Sequence, residues 1–185
     1  MIKVNENENE NIIDVILLGK NGVGKTCIIK SLNGENFYNN ERSTIVPEFL
    51  TKLMIINGKI FYLRIWNLPG HEKFRSFTKL YYKKCKIVIF VYSITNRSSF
   101  EEINNWYISI KETLGNKAFL GLIGNKKDLF LYEEVEEREG KEKANEIGAL
   151  FKLTSARTKD GIKDFFQSVL EEYLIKLAID RRRVK

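Results

Sequence analysis

A glycine-rich stretch near the N-terminus limits the possible folds of this chain more than any other feature. Residues 19–26 read Gly-Lys-Asn-Gly-Val-Gly-Lys-Thr and fit the pattern G-x-x-x-x-G-K-[ST] of a phosphate-binding loop. The apolar run 12–18, broken only by Asp14, predicts a buried strand before the loop, and residues 26–32 predict a helix after it. Glycines let backbone N–H groups turn toward an anion, and the helix directs its positive N-terminus to the same place. A glycine-rich turn that binds nothing is the disfavoured alternative, because it leaves this order of strand, loop and helix unexplained.

The loop assigns roles to two of its own side chains. Lys25 would reach the β- and γ-phosphates of a nucleotide, and the Thr26 hydroxyl would be a ligand of Mg²⁺.

Length and composition indicate one globular domain. The 185 residues are 43% hydrophobic, which is enough for a core, and no stretch approaches the roughly 20 apolar residues of a membrane span. No signal peptide is visible, and the two cysteines, Cys27 and Cys85, suit a reducing compartment, so we expect a cytoplasmic protein. The net charge of +7 lies largely in residues 83–86 and 181–185, without the interleaved aromatics that would favour nucleic acid. We expect no nucleic-acid partner.

Hydrophobic periodicity predicts alternating strands and helices. Residues 1–11 are rich in Asn and Glu and are expected to be disordered, and residues 33–43 are expected to form a mobile loop. The predicted strands lie at 12–18, 48–56, 59–66, 87–92, 118–123 and 151–153. The predicted helices lie at 26–32, 98–114, 133–150 and 162–179. Asn57-Gly58 predicts a tight hairpin, and the remaining alternation predicts an α/β fold whose mostly parallel sheet is covered on both faces.

A second motif discriminates between nucleotide bases. Residues 124–128, Gly-Asn-Lys-Lys-Asp, follow an apolar strand, where open α/β sheets place ligand loops. The Asp128 carboxylate can accept two hydrogen bonds, and guanine offers N1–H and the N2 amino group together. Adenine offers no such pair, so a buried aspartate would be left unpaired. This favours GTP or GDP over ATP.

With these motifs in place, the chain resembles the Ras superfamily of small GTPases, and its Rab branch in particular. Residues 125–128 match the N-K-x-D box, and residues 154–156, Thr-Ser-Ala, match the second base-binding loop. Thr44 stands where the switch I threonine closes on Mg²⁺ and the γ-phosphate, and Phe37 stands where an aromatic side chain packs against the base. The resemblance covers about residues 12–176 and implies a P-loop GTPase fold (a G domain) over 12–179, with a six-stranded sheet and a basic tail at 180–185.

Several short stretches resemble Rabs specifically. They are residues 45–49, 73–78, 80–82 and 92–100. Phe49, Trp66 and Tyr81 fall on the aromatic triad that Rabs present to effector proteins, although ordinary core aromatics would read the same way. The resemblance also implies an exchange factor and a GTPase activator.

The resemblance defines a set of expected site residues. Those expected to bind nucleotide are Asn21, Gly22, Val23, Gly24, Lys25, Thr26, Cys27, Phe37, Thr44, Gly70, Asn125, Lys126, Asp128, Leu129, Ser155, Ala156 and Arg157. Those expected to hold Mg²⁺ are Thr26, Thr44 and Asn67, and those expected to act in hydrolysis are Lys25, Thr44, Gly70 and His71.

The switch II motif departs from the family. The family reads W-D-T-A-G-Q-E, whereas residues 66–72 read Trp-Asn-Leu-Pro-Gly-His-Glu. Asn67 lacks the charge of the aspartate that holds Mg²⁺ through water, and Pro69 stiffens the chain before Gly70. His71 replaces the glutamine that orients the attacking water. A neutral imidazole could do the same, or His71 could be merely an exposed residue. We therefore expect slow hydrolysis and a weak response to activators.

The C-terminus also departs from the family, since Rabs normally end in prenylatable cysteines and this chain has none after Cys85. Either the protein is not prenylated or the chain is a piece of a longer one. Its basic tail would then give at most weak, salt-sensitive contact with vesicle or organelle membranes. The leading hypothesis is a Rab-like switch in vesicle trafficking. The alternatives are a hydrolysis-deficient GTP-binding scaffold and one G domain of a longer protein.

Overall fold

The predicted mostly parallel sheet is present and has six strands. A computed structural model describes residues 11–38, 43–70 and 75–183. The strands are β1 (Ile12–Leu18), β2 (Glu48–Ile56), β3 (Lys59–Asn67), β4 (Ile87–Ser93), β5 (Phe119–Asn125) and β6 (Leu150–Leu153). They lie in the order β2-β3-β1-β4-β5-β6, and only β2 and β3 are antiparallel. The disorder expected for residues 1–11 lies outside the described residues except at Asn11, and the mobile loop expected at 33–43 lies partly outside them, at positions 39–42. Positions 71–74 and 184–185 are outside them as well.

Within the described ranges, six α-helices cover the sheet. They are α1 (Lys25–Leu32), α2 (Arg75–Tyr82), α3 (Arg97–Glu101), α4 (Ile103–Leu114), α5 (Glu137–Ile147) and α6 (Ile162–Arg183), with a 3₁₀ helix at Lys127–Tyr132. None of the helices in the described segments is long and apolar enough to cross a bilayer.

Three helices differ from the sequence prediction. The helix predicted at 98–114 is two segments that meet at Glu102, where the backbone stays near helical dihedrals. The helix predicted at 133–150 begins only at Glu137, because Glu136 and Glu139 form a capping box there, and it ends at Gly148, which has a left-handed φ of 68°. Helix α6 continues past the predicted end at 179 to Arg183, since arginine is a good helix former even where the apolar pattern stops.

The inner strands of the sheet are buried on both faces, as predicted, whereas the edge strand β2 is exposed along much of its length. In β4, Ile87, Ile89 and Val91 face a core formed with α1 and α6, whereas Val88 and Phe90 face a second core formed with α2, α4 and α5. Alternate residues of a strand point to opposite faces, so a continuous apolar run is the pattern expected for a strand covered on both sides.

The predicted hairpin joins β2 to β3. Asn57 and Gly58 both have positive φ, 50° and 75°, as a type I′ turn requires. The resulting register places Glu48, at the start of β2, opposite Asn67, at the end of β3. The parallel pairing aligns the carboxyl end of β1 with that of β3, so both strands deliver their following loops to one edge of the sheet.

A partly buried polar cluster joins β1 to β3. The Asp14 carboxylate accepts hydrogen bonds from Arg64 Nε at 2.5 Å, from Arg64 Nη2 at 2.7 Å and from Trp66 Nε1 at 2.8 Å. Burial alone would raise the pKa of Asp14, but the hydrogen bonds from Arg64 and Trp66 bring the pKa below its usual value. The charged carboxylate therefore joins β1 to β3, and its contribution to stability is lost as the pH falls through that lowered pKa.

We expect Asp14→Ala to lower the free energy of unfolding by about 2 kcal/mol, because it leaves Arg64 and the Trp66 indole N–H without their acceptor. Urea denaturation measures the loss. Glu137→Gln is the control, since it breaks only the exposed pair of Glu137 with Lys141 and should cost less than about 0.5 kcal/mol. Equal stabilities of the two variants would contradict a structural role for Asp14.

Candidate nucleotide-binding site

A cavity of about 390 Å³ opens at the carboxyl edge of the sheet. Its lining residues come from the loop after β1, from the loops around β2 and β3, and from the loops after β5 and β6. They are Asn21, Gly22, Gly24, Lys25, Thr26, Cys27, Phe37, Tyr38, Ser43, Thr44, Leu68, Gly70, Asn125, Lys126, Asp128, Leu129, Ala156 and Arg157. The volume is in the range of small-molecule and cofactor sites.

The glycine-rich loop wraps around the Lys25 side chain. Lys25 is 7% exposed, and its ammonium donates to the carbonyl of Gly19 at 2.8 Å and to that of Lys20 at 3.1 Å. Burial lowers the pKa of Lys25 to about 8. An anion beside this ammonium would raise its pKa again and stabilise the charged form. The geometry therefore suits a phosphate.

Gly70 lies directly against the same loop. A Cβ at this position would lie 2.3 Å from Lys25 Nζ, 2.7 Å from the Gly19 carbonyl oxygen and 2.9 Å from the Asn21 amide nitrogen. Only glycine allows this approach of the backbone after β3 to the phosphate loop. A steric constraint therefore explains why position 70 is glycine, as in the family motif.

The three predicted metal-binding residues lie together. The Thr26 and Thr44 hydroxyl oxygens are 2.9 Å apart, and Asn67 Nδ2 donates to Thr26 Oγ1 at 3.1 Å and to Thr44 Oγ1 at 3.3 Å. Asn67 Nδ2 also donates to Glu48 Oε1 at 2.8 Å, and because the amide has two hydrogens, the two hydroxyls share the other one. Glu48 was not among the predicted site residues.

Asn125 connects the two halves of the site. Its Nδ2 donates to the Val23 carbonyl of the phosphate loop at 2.9 Å, and its Oδ1 accepts from the Ala156 backbone N–H at 3.1 Å and from Thr154 Oγ1 at 3.3 Å. Asn125 thus fixes the distance between the phosphate loop and the loop after β6. The Ala156 N–H, in the expected second base-binding loop, donates to Asn125 in this structure.

Asp128 lies on the 3₁₀ helix after β5 and lines the cavity. Its carboxylate oxygen Oδ1 accepts from Ser155 Oγ at 2.6 Å. The Ser155 hydroxyl also accepts from the backbone N–H of Thr158 at 3.1 Å, so its donor function is directed toward Asp128. This arrangement orients the carboxylate and leaves its other oxygen for a ligand.

Most of the predicted site residues line one cavity. Val23 and Ser155 are exceptions, since both are buried behind the wall and act through the hydrogen bonds just described. Asn67 lies behind Thr26 and Thr44, and His71 lies outside the described residues.

Sequence reasoning missed four residues of this region: Tyr38, Ser43, Leu68 and Glu48. The first three are next to predicted site residues in the sequence, and this proximity could have identified them. Ser43 also accepts a hydrogen bond from Asn21 Nδ2 at 3.1 Å, which joins the phosphate loop to the segment before β2.

The three aromatic side chains of the expected effector triad are in contact. The ring centroids of Phe49 and Trp66 are 4.9 Å apart, and those of Trp66 and Tyr81 are 5.1 Å apart. Phe49 is 53% exposed, and Trp66 and Tyr81 are half-buried. Trp66 and Tyr81 pack against the core formed with α2, α4 and α5, and together with the exposed Phe49 they form a surface cluster at its border.

We expect the affinity for GDP to fall about tenfold between pH 7 and pH 9. The free protein loses the Lys25 proton near pH 8, whereas a bound phosphate keeps it, so binding above pH 8 requires proton uptake. Equilibrium titration with fluorescent GDP measures the slope. Lys25→Met should bind more weakly and lose this slope, which separates Lys25 from the titration of the nucleotide itself. A wild-type slope no steeper than that of Lys25→Met would contradict the assignment.

Comparisons with known proteins agree with this geometry. A family model described as "Ras family" matches residues 14–175. Ras-related protein Rab-13 of Bos taurus is 35% identical over 167 residues, which cover 90% of this chain and 82% of that protein. Ras-related protein Rab-21 of Bos taurus is 33% identical, with 91% and 76% covered, and Ras-related protein RGP2 of Oryza sativa subsp. japonica is 32% identical, with 90% and 77% covered. The chain therefore belongs to the Ras family: it is a Rab-like small GTPase, a GTP-binding switch of the kind that works in vesicle trafficking.

Proposed function

We propose that the cavity holds a guanine nucleotide with its phosphates on the loop 19–24 and its base at Asp128. One observation carries this assignment: a buried ammonium and an oriented carboxylate line the same cavity. The ammonium of Lys25 suits the phosphates, and the carboxylate suits the two adjacent N–H donors of guanine.

The cluster of Thr26, Thr44 and Asn67 fits Mg²⁺. Two ligands at right angles on Mg²⁺, each about 2.1 Å from the ion, lie about 3.0 Å apart. The Thr26 and Thr44 hydroxyl oxygens are 2.9 Å apart, and hydroxyl oxygens are hard donors of the kind that Mg²⁺ prefers. When bound, Mg²⁺ would neutralise phosphate charge. Thr26 and Thr44 would be its ligands, and Asn67 would support them from behind.

The chain's own groups would stabilise hydrolysis mainly by position and charge. Lys25 would neutralise charge on the β- and γ-phosphate oxygens, and the Gly70 backbone N–H would donate to the γ-phosphate. Thr44 and Gly70 would both be drawn inward by GTP and released after hydrolysis, which moves the segments on either side of the cavity.

We expect Asp128→Asn to reduce GTP affinity at least a hundredfold and to favour XTP. The asparagine amide accepts from the N1–H of xanthine and donates to its C2 carbonyl, whereas it meets the guanine amino group with a second donor. Competition against fluorescent GDP measures the affinities for GTP and XTP. ATP is the control, since it should displace GDP from neither protein. If the Asp128→Asn protein still prefers GTP over XTP, the base does not bind at Asp128.

The rate of hydrolysis separates two forms of this proposal. Intact family members hydrolyse GTP unaided at about 10⁻⁴ s⁻¹, and His71 stands in place of the water-orienting glutamine. We propose slow hydrolysis. The second candidate is a GTP-binding scaffold without turnover, which the change at His71 and the uncharged Asn67 favour.

We expect His71→Gln to raise the single-turnover rate about tenfold, because the glutamine amide can both accept from and donate to the attacking water. Protein preloaded with GTP and Mg²⁺ is followed by the appearance of GDP, with Lys25→Met as the inactive control. A wild-type rate already equal to that of intact members would contradict slow hydrolysis. Complete absence of GDP formation in the wild type would favour the scaffold.

We further propose that effector proteins dock on the surface cluster of Phe49, Trp66 and Tyr81, and that the protein acts at the cytoplasmic face of vesicle or organelle membranes. Phe49 and Trp66 are opposite each other on β2 and β3, one position along from the pair formed by Glu48 and Asn67. A change around Asn67 would therefore be transmitted directly to the exposed rings. An exchange factor and a GTPase activator would act on the same region.

A further inference from the structure

Glu48 lies next to the proposed metal site, although none of the motifs in the sequence assigns it to that site. It begins β2 and faces Asn67 across the antiparallel pair. Its Oε1 accepts from Asn67 Nδ2 at 2.8 Å, and the same Nδ2 reaches the hydroxyls of Thr26 and Thr44. The Glu48 carboxylate is therefore linked to both proposed ligands, Thr26 and Thr44, through the Asn67 side chain.

The three side chains proposed to surround Mg²⁺ are themselves neutral. Thr26 and Thr44 contribute hydroxyls, and Asn67 contributes an amide where the family has an aspartate. Among the residues that the structure describes, no group of three His, Cys, Asp or Glu side chains could hold a metal ion by itself. A divalent cation bound here would benefit from any nearby negative charge, and Glu48 carries one.

Glu48 also fixes the orientation of the Asn67 amide. A carboxylate can only accept, so the atom of Asn67 facing it must be the nitrogen, and the oxygen then points elsewhere. Asn67 Oδ1 lies 3.4 Å from Thr26 Oγ1. Because Asn67 is 2% exposed, water cannot readily substitute for this orienting contact.

We propose that Glu48 replaces the missing aspartate charge of the magnesium site: it supplies the negative charge and holds Asn67 in place. Glu48 is a positioning residue, since it reaches the site through Asn67. The inference rests on the proposed function, namely that Thr26 and Thr44 bind Mg²⁺, supported by Asn67, together with a nucleotide. The carboxylate is exposed, so solvent screens its charge and we expect a moderate effect on Mg²⁺ affinity.

The test is a Mg²⁺ titration of fluorescent GDP release from the full chain. The measured quantity is the Mg²⁺ concentration that gives half of the maximal slowing of release. We expect Glu48→Gln to raise this midpoint about tenfold while leaving the release rate in excess EDTA unchanged. Glu48→Asp keeps the charge and should shift the midpoint less than Glu48→Gln. Glu112→Gln removes an exposed carboxylate on α4 and should leave it unchanged.

A double-mutant cycle distinguishes this role from a general charge effect. Asn67→Asp restores a carboxylate beside the ligands, so Glu48→Gln should cost little or nothing in that background. A midpoint in Glu48→Gln within twofold of wild type would overturn the inference, and so would an equal cost in both backgrounds. A wild-type protein that binds GDP without any Mg²⁺ dependence, or that does not bind GDP, would overturn the proposed function as well.

Discussion

The buried ammonium of Lys25 is the constraint on which the site depends. Lys25 is 7% exposed, and among the described residues its ammonium donates to the Gly19 and Lys20 carbonyls, which carry no full negative charge; burial lowers its pKa. Such an arrangement is costly for folding and becomes favourable when an anion binds. The glycine conformations of the loop and the close approach of Gly70 surround the same charge. The fold thus holds a cation in place for a phosphate.

Two asparagines connect this centre to the rest of the molecule. Asn125 joins the phosphate loop to the loop after β6 through three hydrogen bonds, so a nucleotide bound as we propose would contact loops that are linked to each other. Asn67 joins Thr26 and Thr44 to Glu48, and Glu48 begins the strand that carries Phe49. A change at the γ-phosphate can therefore reach an exposed aromatic surface within a few residues. This short path is what a nucleotide switch requires.

Local sequence patterns predicted the features that depend on local chemistry. The glycine-rich loop, the Asn57-Gly58 hairpin and the doubly buried β4 each follow from a few neighbouring residues, and the structure confirms all three. The contacts that could not be predicted depend on strand register. Glu48 meets Asn67, and Asp14 meets Arg64, only because paired strands align residues that are far apart in sequence.

Hydrogen exchange in the two nucleotide states tests the central claim, that the nucleotide controls the segments around Thr44 and Gly70. The protein is loaded with GDP or with a non-hydrolysable GTP analogue in Mg²⁺, and the exchange of backbone amides is followed. The account predicts slower exchange in residues 43–49 and 67–70 with the GTP analogue, and unchanged exchange in helix α6. Equal exchange of both segments in the two states would contradict it, because the γ-phosphate would then hold neither.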